Sequence, residues 1–203
     1  MNSKRIVRAL LASAVLLLPA AADAQVGHLP ENSPFRDFPW RHELGTYGGW
    51  YAPSSDAAAV APQAAPVMGV RYEVRIGGPV NFMARMGTAF SERTVLDRDL
   101  PPETRASTVS TQLFMADVGI TMSLTGQKSW HGLMPLVQGG VGLVSDFESE
   151  DVSGYKLGTP FALTLGTGLR YTRGGRVSLR ADLTDHFFQI SYPDSYRQVS
   201  SGG

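Results

Sequence analysis

The chain has 203 residues, no cysteine, and 18 Lys plus Arg against 18 Asp plus Glu. That length supports one domain with a sizeable core. The balanced charge excludes the strong positive field of a nucleic-acid binder, and disulfides contribute nothing. Gly at 22 and Pro at 13, with no long helical stripe, favour a β-rich chain.

The N-terminus reads as a secretory signal over residues 1–24. Lys4, Arg5 and Arg8 give a positive start, Ala9 to Leu18 an apolar run closed by Pro19, and Ala22-Asp23-Ala24 a small-x-small cleavage site. Gln25 would then be the first mature residue. The apolar run is shorter than the ~20 residues of a spanning helix, and no later stretch approaches that length. A membrane-resident mature chain must therefore be a closed barrel. Residues 25–40 hold prolines and mixed charge and read as an irregular lead-in to a barrel domain over 41–203.

From there a period of two sorts the chain into seven candidate strands. The first, about His42 to Tyr51, is Gly-rich and ends in Trp50-Tyr51. In the second, about Val67 to Ile76, the residues Met68, Val70, Tyr72, Val74 and Ile76 oppose Gly69, Arg71, Glu73 and Arg75. The third, about Val80 to Ser91, sets Val80, Phe82, Ala84, Met86 and Phe90 against Asn81, Met83, Arg85 and Gly87. The fourth, near Leu113 to Leu124, sets Phe114, Ala116, Val118, Ile120, Met122 and Leu124 against Asp117, Gly119, Thr121 and Ser123.

In the fifth, Pro135, Val137, Val141 and Leu143 oppose Gln138, Gly140 and Gly142. In the sixth, Phe161, Leu163, Leu165, Leu169 and Tyr171 oppose Thr164, Gly166, Gly168 and Arg170. In the seventh, Val177, Leu179, Ala181 and Leu183 oppose Ser178, Arg180, Asp182 and Thr184. Strands of about 9–12 residues match the length a tilted strand needs to cross a bilayer. The connections alternate: tight at Gly77-Gly78-Pro79, Thr125 to Ser129 and Thr172 to Arg176, long near 52–66, 92–110 and 145–160. That asymmetry belongs to membrane-spanning up-and-down barrels.

Alternation alone does not say which face points inward. The polar faces mix both signs and carry many glycines, as a narrow closed lumen requires. Trp50, Tyr51, Phe90, Trp130, Tyr171 and Phe187 fall near strand ends, where interfacial aromatics belong. The expectation is apolar faces outward and a lumen charge network of Arg71, Glu73, Arg75, Arg85, Asp117, Arg170, Arg180 and Asp182. Opposite charges there brace and plug the interior more than they add net stability.

The run Pro135-Leu136-Val137-Gln138-Gly139-Gly140-Val141-Gly142-Leu143 resembles strands of small bacterial outer-membrane β-barrels of the outer-membrane-protein-A-like transmembrane type. So does Val177-Ser178-Leu179-Arg180-Ala181-Asp182-Leu183-Thr184-Asp185-His186-Phe187. The resemblance covers roughly residues 41–190. It implies an all-β, antiparallel up-and-down barrel of eight strands with both ends in the periplasm and long loops at the cell surface. It also implies outer-membrane lipid and the barrel-insertion machinery as partners. Members serve as structural barrels, adhesion or evasion factors, small pores, or occasionally lipid-modifying enzymes, and membership does not choose among these. Such barrels end on an aromatic-terminated strand. Ser200-Ser201-Gly202-Gly203 instead reads as part of a fourth long loop, so the last strand is expected to be missing from this sequence. The other option is that Arg36 to Trp40 supplies an edge partner.

Catalytic chemistry is sparse in the sequence. His28, His42, His131 and His186 show no metal-ligand spacing, and none begins the His-x-Ser pair of lipid A deacylases. Asp182, Asp185 and His186 form the one acid–base cluster, with no nucleophile beside it. Asp146, Glu148, Glu150 and Asp151 make a small acidic loop. The expectation is a non-enzymatic outer-membrane barrel with a structural or surface-interaction role, no cofactor and no nucleic-acid partner. The alternatives are a lipid-modifying enzyme or a narrow channel.

Overall fold

A computed structural model describes residues 33–54, 61–96, 101, 106–148, 155–173 and 175–190. The leader, its cleavage site, His28, Glu150, Asp151 and residues 191–203 lie outside the described residues. The described chain is all β, one antiparallel sheet of nine strands. They are β1 (Phe35–Asp37), β2 (His42–Tyr51), β3 (Ala65–Gly77), β4 (Val80–Leu96), β5 (Ala106–Ser123), β6 (Lys128–Trp130), β7 (Leu133–Ser145), β8 (Phe161–Thr172) and β9 (Ser178–Phe188). The long strands follow the order β2-β3-β4-β5-β7-β8-β9, each paired with its sequence neighbour among them. All seven strands expected from the alternation are present.

Five sequence expectations need correcting. β4 runs on to Leu96 and β5 begins at Ala106, so much of the expected 92–110 loop is paired strand, with Glu92 opposite Ser110 and Leu96 opposite Ala106. The expected tight link at Thr125 to Ser129 spans 124–132 and contains β6. The lead-in is not wholly irregular, because β1 pairs with β6. That pairing lies at the turn end of the sheet, so Arg36 to Trp40 does not partner either outer edge. Lastly, Tyr51 turns inward, packed against a buried cluster, instead of outward with Trp50.

β2 and β9 sit at opposite ends of the hydrogen-bonded order, yet their side chains meet. Glu43 of β2 lies 2.7 Å from Arg170 of β8, and Arg71 of β3 lies 2.7 Å from Asp182 of β9. Contacts between strands so far apart in the order require the sheet to curl back on itself. No backbone ladder joins β2 to β9, so the curl is not closed into a barrel.

Register lines up the faces across strands. Val70, Met86, Ala116, Leu143 and Phe161 sit opposite one another in sequence across five strands, all on the convex face. That face is exposed, with Leu44 at 78% and Leu183 at 76%. The concave face is buried and filled in layers. At the turn end Phe38, Met134 and Leu136 pack together with Trp40. At the loop end Ala65, Ala89, Leu113, Met115, Val144 and Ala162 pack around Tyr155 and Leu157, which the β7–β8 connection carries inward. Between these apolar caps lies a polar layer.

Candidate functional site

Every residue of the expected charge network stands on the concave face, because each sits at the inward parity of its strand. Glu73 is the hub, 2% exposed. Its carboxylate takes Arg170 Nη2 at 2.5 Å on one oxygen and Arg180 Nη1 at 2.5 Å on the other. Thr121 Oγ1 also donates to it at 3.1 Å. Arg180 continues to Asp182 at 2.8 Å, and Asp182 in turn takes Arg71. Arg85 and Asp117, direct neighbours on β4 and β5, form a two-pronged pair through Nε at 3.0 Å and Nη2 at 3.2 Å. Charges this buried persist only when each is met by an opposite charge or by donors that satisfy its lone pairs.

Arg75 is the exception among the eight. It binds the Phe38 carbonyl at 2.6 Å and lies over the Phe38 ring, 5.6 Å from its centre. Arg170 flanks the same ring at 5.1 Å. Phe38 is thereby a stopper at the turn end, held by two cations. Nothing in the lead-in alternates, so the sequence offered no periodic sign of it.

Three further participants were not singled out beforehand. Glu43 joins through Arg170 and accepts a hydrogen bond from Ser178 of β9. Gln138 accepts from Arg180 at 3.0 Å and donates to Thr184 at 2.8 Å. Thr184 also takes Arg85 Nη1 at 3.1 Å. A lone glutamate in a Gly-rich strand is a weak signal, whereas Gln138 and Thr184 stand on the expected polar faces and were left out of the network only because they carry no charge. Tyr47 lies over Gly69 and Gly87, where an added Cβ would collide with its ring. The glycines on the polar faces thus make room for a large side chain in a narrow interior.

The Asp182, Asp185 and His186 cluster does not assemble. Asp182 and His186 face inward and Asp185 stands on the convex face opposite Leu165. His42 bonds Tyr72 Oη at 2.7 Å on the convex side, and His131 packs edge-on against Trp130. Among the described residues no group of three acidic, His or Cys side chains is placed to hold a metal ion. A cleft of about 610 Å³ runs between β2 and β9, lined by His42 to Gly48 on one side and by Arg176 to Arg180 and Asp182 on the other. No protein-family model, curated protein or solved structure matches this chain.

Proposed function

We propose that this chain is an exported outer-membrane β-barrel protein with a braced, plugged interior, acting as a structural or surface-interaction protein and not as an enzyme. The observation that carries the reading is the inverted polarity of the sheet: charges inside, a continuous apolar face outside. Water-soluble proteins rarely expose contiguous apolar patches of more than a few hundred Å². A lipid-facing barrel requires one. The apolar caps at both ends and the ion pairs between them argue for a plug against an open channel.

The seam carries the finer reading of the architecture. Seven strands in an up-and-down meander leave β2 and β9 running in the same direction. They cannot close on each other with the antiparallel pairing used everywhere else in the sheet. One more strand, antiparallel to both, would close it as an eight-stranded barrel. Unpaired edges in hydrocarbon cost several kcal/mol per polar group, so an open form is not a membrane form.

Expression with its own leader in a Gram-negative host, followed by membrane fractionation, tests the reading. The expected product is in the outer membrane, has lost residues 1–24, and shifts in gel mobility on boiling. In planar bilayers it gives no steady conductance. Recovery as a detergent-independent periplasmic protein would overturn the membrane assignment, and steady ion conduction would overturn the plug.

A further inference from the structure

The β4–β5 hairpin outruns its neighbours at the loop end. β5 pairs with β7 from Phe114, opposite Ser145, so among the described residues Ala106 to Leu113 has no partner on that side. At 3.4 Å per residue this free edge is about 25 Å long. β7 cannot extend along it, because the chain turns away at once. Phe147 takes a left-handed φ of 53°, Ser145 Oγ accepts from its N–H, and Asp146 Oδ1 accepts from Glu148 N.

The direction of the edge groups follows from the ladder. Glu92 accepts from Gln63 N on the far side of β4, so the next residue, Arg93, points its backbone groups to Val109 of β5. Backbone groups alternate sides along a strand. Thr108, Ser110 and Gln112 therefore present their N–H and C=O outward, along the free edge. Leu124 N, at the same parity, bonds Pro135 of β7, as this assignment requires.

Natural edges are usually blunted by lysine, proline or a bulge. The edge sequence Ser107-Thr108-Val109-Ser110-Thr111-Gln112 has none of these and is exposed over 107–110. Beside it opens a cavity of about 540 Å³ lined by Glu92, Thr111, Gln112, Phe114, Asp146 and Glu148. Its acids are Glu92, Asp146 and Glu148, and among the described residues Arg93 reaches Glu148 at 3.6 Å. A strand edge and an acidic pocket thus lie side by side.

We infer that the Thr108–Gln112 edge is a docking site for an extended, cationic peptide segment of a partner protein, which binds as an added strand with a basic side chain in the acidic cavity. The inference deepens the surface-interaction reading and rests on it only in taking the loop end as the outward end.

The test uses the full chain folded in detergent micelles and a fluorescent nonapeptide of alternating Thr and Lys, read by anisotropy at low salt. Its controls are the same peptide with alternate amides N-methylated and a Thr–Glu version. Each control should bind about tenfold more weakly or worse, the equivalent of about 1.4 kcal/mol. Ser110→Pro removes an outward N–H without touching the β4 ladder. It should cost a similar factor while leaving gel mobility and circular dichroism unchanged. Glu148→Gln should lower affinity and flatten its salt dependence.

Absence of binding to the Thr–Lys peptide would overturn the inference. So would equal binding of the methylated peptide, or full binding to a folded Ser110→Pro protein, since either means charge attraction without strand addition. Detergent dependence of the same samples tests the membrane reading separately, because a strand edge binds peptides in a water-soluble protein as well.

Discussion

At the scale of single residues, Glu73 joins two arginines that approach it from β8 and β9. Removing one partner of a buried ion pair leaves an uncompensated charge, which costs about 3–5 kcal/mol. Glu73→Gln should therefore lower stability by about that much in urea titration of the detergent-folded protein, with the fold retained. Replacing Glu43, Glu73, Arg170 and Arg180 together by apolar residues, which leaves Asp182 paired with Arg71, should cost less than the single change. Asp146 behaves differently. It lies outside the strands, and burial pushes its carboxyl above the usual carboxylate range, with the neighbouring Glu148 charge adding to the effect. Its folded pKa exceeds the unfolded value, so stability falls as pH rises through that interval and stays reduced above it. Asp146→Asn should raise the melting temperature at pH 7, and the advantage should vanish near pH 3, below both values.

At the scale of elements, the sequence disclosed the strands wherever one face is apolar and the other polar. Val118 and Ile120 against Asp117 and Gly119 are unambiguous, and their exposure matches the expected outward face. Val118→Arg on that face gives a direct check. In a bilayer such a change costs about 2–4 kcal/mol at mid-depth, whereas a solvent-exposed site would tolerate it within about 0.5 kcal/mol. Urea titration in lipid vesicles reads the difference.

The signal failed where alternation stops carrying information. Ser91 to Leu96 and Ala106 to Gln112 are rich in Ser, Thr and charge on both faces, so the extension of the hairpin read as loop although it is paired throughout. β1 and β6 are three residues each, too short for any period. The inward stopper Phe38 depends on where β1 docks, and nothing local in the sequence encodes that. The charge network was legible as a set of inward residues, but its wiring was not. Which arginine meets which acid depends on how far the sheet curls, a property of all the strands together.

At the scale of the whole molecule, the same curl links the parts of the chain most distant in sequence. The hairpins are local, fixed by turns such as Gly77 to Val80, where Gly78 takes a positive φ of 52°. The bonds across the interior span far more chain: Arg71 to Asp182 is 111 residues apart, and Glu43 to Ser178 is 135. Closing such loops costs entropy before any contact repays it. The hairpins can form early, but the ionic brace cannot exist until the first and last strands have come round to face each other. The brace is therefore expected to form late, after the rate-limiting barrier to folding. Substitutions such as Asp182→Asn should leave the folding rate in lipid vesicles nearly unchanged and raise the unfolding rate by the whole of their equilibrium effect. The interior charges would then act as a latch, setting how long the folded protein lasts and not how fast it is made.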